Sequence, residues 1–296
     1  MKDKTLRKFL LWAFALAWPL QALASWLALN EALPAALRQS AFTLVMAVSM
    51  FAPLAALLLA KIPLRTIGWK LNLRGNVGRY LAAWLVPIAL VALGAALFYA
   101  IFPAAFDASA SSYFSTLPEE ALQAYEAQGL SRGLLIIVSI LGAVSYAPFI
   151  NILFSLGEEA GWRGYLYPRL KERFGKTRGR LLAGVIWGVW HWPVIILAGY
   201  EYGLDYWGAP VAGPLLFCVF TVAIGTLLDW LYEKTGSIWA ASLGHGAINA
   251  VANLPVMFLV ASYADRSILG PFANGLIGGL PLILLAAAVL VKKEKA

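Results

Sequence analysis

Along the 296-residue chain, long apolar runs alternate with short polar connections, and eight of those runs approach the roughly 20 residues a helix needs to cross a bilayer. They fall at about 9–30, 41–60, 80–102, 143–167, 181–199, 211–232, 237–260 and 271–291. The pattern predicts an all-α polytopic membrane protein with about eight transmembrane helices. The fourth run is the least regular. Apolar character begins at Leu134, Pro148 interrupts it, and the run continues past two glutamates to Tyr167. A proline there kinks or breaks a helix, because it lacks an N–H and crowds the carbonyl four residues back. The longest connection, 103–133, contains an amphipathic acidic piece, Pro118–Gln128. With no internal repeat and no inverted pair of broken helices of the transporter kind, the chain reads as one transmembrane domain, 1–296. Its polar, motif-bearing core lies at about 143–260.

Composition narrows the class. The chain is 61% hydrophobic and 13% charged, against about half and a quarter for soluble domains, which excludes an ordinary soluble domain, disorder and coiled coil. Its one cysteine, Cys218, excludes a disulfide framework and cysteine-held metal clusters, and reads as packing. A net charge of +8 would suggest nucleic acid in a soluble protein, but here its distribution has another cause. Twenty of the 23 Lys and Arg fall in alternate connections, at 1–8, 61–79, 163–180, 233–236 and 292–296. The remaining connections hold only Arg38, Arg132 and Arg266, with eight of the 15 acids. The positive-inside rule then places both termini in the cytoplasm, and no nucleic-acid partner is expected. The basic stretch 169–180 reads as a positive-inside anchor, with lipid headgroups as its alternative partner. Ala22-Leu23-Ala24 could pass for a signal-peptidase site; apolar character running on to Leu29 favours a retained helix. The Ala/Leu/Trp-rich chain, with no targeting extension, fits a bacterial or archaeal cell membrane.

Ionisable groups inside a bilayer are costly, so those that occur are functional candidates. Both histidines lie inside apolar runs, His191 in Trp-Gly-Val-Trp-His-Trp-Pro and His245 in Gly-His-Gly-Ala-Ile-Asn, and the fourth run carries Gly-Glu158-Glu159-Ala-Gly-Trp-Arg163-Gly. Glu158 stands 11 residues before Arg169, His191 11 after Arg180 and His245 11 after Lys234. At 1.5 Å per residue each is roughly 16 Å from a basic marker, about halfway through the membrane. Independent structural polar residues have no reason to share a depth. Water is expected to reach this centre from the cytoplasm.

Helical spacing adds partners. Glu159 and Arg163 are i,i+4 with the acid first, the favourable order for an ion pair. Trp187 and His191 share a face, as do His245 and Asn249. Glu158 has no counter-ion at i±4. Structural alternatives stand beside each: a buried ion pair for Glu159 and Arg163, interhelical bonding for Asn249, packing for either histidine. Trp162, Trp187, Trp190 and Trp192 read as cavity walls, and Asp229 as interfacial. Glycines at 157, 161, 164, 188, 244 and 246 leave room for close helix approach.

Taken together, Glu158-Glu159-Ala-Gly-Trp-Arg163, Trp187-x-x-x-His191 and His245-x-x-x-Asn249 resemble the three signatures EExxxR, FxxxH and HxxxN/D of the CAAX prenyl endopeptidase and bacteriocin-processing (CPBP, Abi-type) intramembrane proteases. One departure is Trp187 where the family usually has Phe. The resemblance implies an intramembrane endopeptidase whose site opens toward the cytosol and the inner leaflet. Its substrate would be a membrane-associated peptide, a prenylated CAAX protein or a bacteriocin-like peptide. By the same likeness Glu158 and His191 would activate water, His245 and Asn249 would hold the oxyanion, and Glu159 and Arg163 would support the site. Metal is the open question. Glu158, His191 and His245 could furnish three zinc ligands, while a glutamate-dependent, metal-free mechanism competes, and no HExxH occurs. Outside this reading stand a non-catalytic scaffold or self-immunity protein that binds through the same polar centre, and a proton-coupled transporter.

Overall fold

The computed structural model describes residues 4–292; Lys2, Lys293 and Lys295, counted above with the terminal basic segments, lie outside them. The described chain is helical, with an isolated Phe106–Leu259 bridge as its sole strand-like pairing. In order the helices are α1 (Lys4–Leu29), α2 (Ala35–Ser49), α3 (Ala52–Leu59), α4 (Val77–Ile101), α5 (Ser111–Phe114), α6 (Glu119–Ala127) and α7 (Arg132–Val144). Then come α8 (Ala147–Gly161), a π-helical turn (Trp162–Leu166), α9 (Tyr167–Phe174), α10 (Lys176–Trp190), α11 (Trp192–Ala198), α12 (Ala212–Thr235), α13 (Ile238–Val251) and α14 (Leu280–Val291).

Five spans among the described residues are long and apolar enough to cross a membrane: α1, α2 with α3, α4, α10 with α11, and α12. The pair α6 and α7, bent by 96°, makes a sixth at most. Three of the eight apolar runs are not single long α-helices, and proline and glycine explain why. In the fourth run Pro148 starts α8 afresh after a break at Ser145–Tyr146. The Val144 carbonyl, four residues before that proline, accepts instead from the Trp84 indole at 2.8 Å. The seventh run leaves the α-helix at Val251, two turns short of its apolar limit, and Pro255 lies in the 3₁₀ turn that follows. The eighth is helical only from Leu280; residues 271–279 fold as an irregular glycine-containing loop against the end of α13, with Ala273 N–H on the Ala252 carbonyl.

α8 and α13 lie together at the centre, with α1, α3, α4, α10 and α12 around them. The close approach follows from small residues. A Cβ on Gly246 would sit 2.5 Å from the Pro148 carbonyl oxygen, and one on Gly161 2.5 Å from Pro53 of α3. Ser155 of α8 donates to the Ser242 carbonyl of α13 at 2.9 Å, so even this inner contact is hydrogen-bonded. α1 is part of the same core: Phe9 meets the Trp162 and Tyr165 rings edge-on, and Trp190 donates to the Ala13 carbonyl. Leu11, Leu44, Leu93, Leu153 and Leu284 project from the outer surface. A helical bundle apolar on its outside as well as inside is an integral membrane protein.

The two ends of the bundle are defined by tertiary bonds. At one, Lys171 and Arg180 each pair with buried Asp229 at 2.6 Å, and both also reach Glu233. Asn72 bonds the Thr235 carbonyl and Tyr80 the Ser237 hydroxyl at the same end. Asp229 is thus a structural clamp joining α9, α10 and α12, and four of the basic residues in 169–180, Arg169, Lys171, Lys176 and Arg180, are engaged in ion pairs. At the opposite end Tyr99 donates to the Pro255 carbonyl, Tyr202 to the Asn274 carbonyl and Ser267 to the Tyr202 carbonyl.

Candidate active site

Three helix features set the site. On α8, Glu158 and Glu159 are consecutive and therefore point about 100° apart. One faces a cavity and the other turns into the protein. The π turn follows immediately, a local widening common at functional positions. On α10, Pro193 ends the helix and leaves His191 at the junction with α11. On α13, His245 sits between two glycines at the contact with α8.

Glu158, His191, His245 and Asn249 all line one cavity of about 380 Å³. Glu158 is buried, and its Oε2 accepts two indole N–H bonds, from Trp187 at 2.7 Å and Trp162 at 3.1 Å. The expectation that Glu158 lacks a partner at i±4 thus holds for counter-ions only, because Trp162 stands at i+4. Nor are these two tryptophans mere walls: they are the groups that orient the carboxylate. Their role was hidden because tryptophan registers in a hydropathy pattern as apolar bulk.

His191 Nδ1 lies 2.9 Å from the Trp187 carbonyl. A carbonyl only accepts, so Nδ1 carries the proton, and Nε2 of the neutral ring is left as an acceptor. The ring is packed edge-on to Trp190 and against Phe217. His245 Nδ1 is 2.8 Å from Glu159 Oε1, which also accepts from Arg163 Nη1 at 2.6 Å. Glu159 and Arg163 are both fully buried. The guanidinium lies over the Trp187 ring at 4.2 Å and the Tyr167 ring at 4.7 Å, so delocalised charge meets aromatic faces. Glu159 therefore links Arg163 to His245. Asn249, one turn beyond His245, is exposed on the cavity wall.

The metal expectation fits this donor set poorly. Among the described residues no three His, Cys, Asp or Glu side chains group as ligands for one ion.

The cavity lies toward the bundle end opposite the Asp229 clamp. Its lining comes from the halves of α8, α10, α12 and α13 that lie away from the Asp229 clamp, together with α2 and the loop residues Tyr200, Glu201, Asn253 and Asn274. Thr43, Asn249 and Asn253 bring it to the surface there. Toward the basic end it is closed by Trp162, Arg163, Leu166 and Tyr167, all fully buried. A polar face on α8 continuing to the basic end would have let water in from that side, but Arg163 turns inward onto Glu159 instead. Sequence reading also missed Asn274, which is buried with both amide atoms lacking a hydrogen-bond partner among the described residues, and Glu201, bonded by the Asn253 amide at 2.8 Å. Asn274 lies in a glycine-containing loop outside the three motifs, where only packing could reveal it.

Comparison with known proteins agrees with the motifs. Residues 132–251 match the family described as Type II CAAX prenyl endopeptidase Rce1-like. A protein named CAAX prenyl protease 2, from Methanococcus maripaludis, is 29% identical over 148 residues, which are 50% of this chain and 49% of that relative. The match thus spans about half the length of the curated relative. Residues 132–251, which carry α8, α10 and α13, are thus similar to the Rce1-like CAAX prenyl endopeptidases, the family the three motifs resemble.

Proposed function

We propose that this protein is an intramembrane endopeptidase that hydrolyses a peptide bond of a membrane-associated substrate with water activated by Glu158 and His191. The observation that carries the reading is one cavity inside a membrane bundle, lined by a carboxylate, two imidazoles and an exposed carboxamide. Water held between Glu158 and His191 Nε2 loses a proton to this pair as it attacks the carbonyl carbon. The indole bonds from Trp187 and Trp162 hold the carboxylate in place. As the carbonyl oxygen gains charge, Asn249 Nδ2 and His245 Nε2 donate to it. Donation from Nε2 requires His245 to carry protons on both nitrogens, and Glu159 on Nδ1 is the adjacent counter-charge. The proton taken from water then passes to the leaving amine, which completes hydrolysis. Glu159 and Arg163 fix His245 without touching substrate. Because the donor set does not assemble into a metal site, no step is routed through a metal.

The roles are separable by mutation. His191→Ala should abolish cleavage of a fluorogenic peptide by purified protein, and Asn249→Ala should lower kcat by about 10²–10³, the usual loss of one oxyanion donor. Equal, small losses in both variants would remove the division of labour proposed here.

A further inference from the structure

We propose that the protein binds one anionic phospholipid between α12 and α14, with its phosphate held by Lys234 and Lys292 and an acyl chain laid in the apolar groove beside them. The site shares only Ile224 with the cavity of Glu158 and stands whether or not that cavity cleaves peptides.

Two adjoining hollows make the site. The first, of about 1230 Å³, lies at the Asp229 clamp and is lined by Lys176, Thr177, Arg180, Lys234 and Lys292 together with Trp230 and the last turns of α14. The second, of about 260 Å³, lies where α14 packs on α4 and α12. Every side chain lining it is apolar, among them Val86 of α4, Leu227 and Leu231 of α12 and Leu282 of α14. Trp230, Leu285 and Val289 line both hollows, so the basic mouth runs on into the groove. Tryptophan at such a junction is typical of the boundary between headgroups and hydrocarbon. Along α12 the groove extends from Leu231 to Ile224, about 10 Å at 1.5 Å per residue. That depth falls within one leaflet of a core about 30 Å thick.

The charge at the mouth selects the headgroup. Lys171, Lys176 and Arg180 share the carboxylates of Asp229 and Glu233. Lys234, in the last turn of α12, and Lys292, just past α14, are exposed and make no ion pair among the described residues. Five cations thus face two carboxylates, and the surplus sits on the two lysines that flank the groove. A free anion would leave the groove unused, and a zwitterionic headgroup would bring a second cation to a mouth already in positive surplus. A phospholipid with net negative charge satisfies both halves: its phosphate meets the lysines, and its chain covers apolar surface.

Purified protein in detergent, stripped of lipid, tests the site. It would be titrated with phosphatidylglycerol and with phosphatidylcholine of the same chains, and bound lipid would be counted by native mass spectrometry. One phosphatidylglycerol should bind at least tenfold more tightly than phosphatidylcholine. Lys234→Gln combined with Lys292→Gln should weaken it by about ten- to thirtyfold, from the usual worth of two lysines at a lipid surface. Lys70→Gln combined with Arg74→Gln removes two other exposed charges at the same bundle end and should change affinity less than about twofold. Leu285→Trp, which narrows the passage between the hollows, should also weaken binding. Equal losses in the two charge variants would show diffuse attraction and overturn the site. Equal affinity for the two lipids would overturn the anionic preference, and full binding by Leu285→Trp would overturn the place given to the chain. Displacement of phosphatidylglycerol by an equal concentration of inorganic phosphate would make this a site for a free anion and overturn the lipid.

Discussion

At the scale of single residues, the chemistry turns on how a carboxylate survives burial. Among the described residues Glu158 has no ion-pair partner, and two indole N–H groups do part of that work. Hydrogen bonds to a charged group contribute about 1.5–3 kcal/mol each, so Trp187→Phe, which restores the residue usual in the family, should cost roughly that in stability. It should also slow cleavage by about tenfold by loosening the carboxylate, as thermal unfolding and peptide kinetics on the same preparation would show. Unchanged kinetics would reduce Trp187 to a platform for Arg163. Glu158, His191, His245 and Asn249 were legible from sequence because polar groups at one depth in apolar helices stand out against their surroundings. The indoles and Asn274 were not, because tryptophan is ambiguous between bulk and donor, and because an unpaired amide is recognised only when its neighbours are known.

At the scale of elements, the helix that carries Glu158 and Glu159 is shaped by what surrounds it. Pro148 starts it, Gly161 lets Pro53 of α3 approach, and a π turn follows the paired glutamates. The ion pair expected from i,i+4 spacing is present, but it is a chain of three: Arg163, Glu159 and His245. Arg163→Ala therefore leaves Glu159 with His245 alone and empties the space between the Trp187 and Tyr167 rings. Breaking a buried pair from one side costs about 3–5 kcal/mol, so the melting temperature should fall sharply, and cleavage should fall with it as His245 loses its orientation. Glu159→Gln, which keeps an acceptor for His245, should be the milder change in shape and still unpair the arginine. A melting temperature unmoved by Arg163→Ala would show that the guanidinium is not held as a buried charge. Apolar run length misjudged several elements for a physical reason: hydrophobicity records what is buried or faces lipid, and residues 252–260 and 271–279 are apolar yet bent by proline and glycine into turns.

At the scale of the whole molecule, the all-helical membrane class, the clustering of basic residues at one end and the convergence of three motif helices were all legible in the sequence. The direction of the cavity was not, since it depends on which half of each helix is left unfilled, and the inward turn of Arg163 decides that. One substitution tests the central claim, hydrolysis by water that Glu158 activates. Glu158→Gln keeps the side-chain shape and an oxygen for the indoles while removing the base. Purified wild-type protein and the variant, matched by thermal unfolding, would be given the same fluorogenic peptide and the products identified by mass. The account predicts cleavage by the wild type, a loss of about 10²–10⁴ in the variant, and indifference of the wild type to a strong chelator. A folded Glu158→Gln protein that cleaves at the wild-type rate would contradict it, and so would wild-type cleavage abolished by the chelator and restored by zinc.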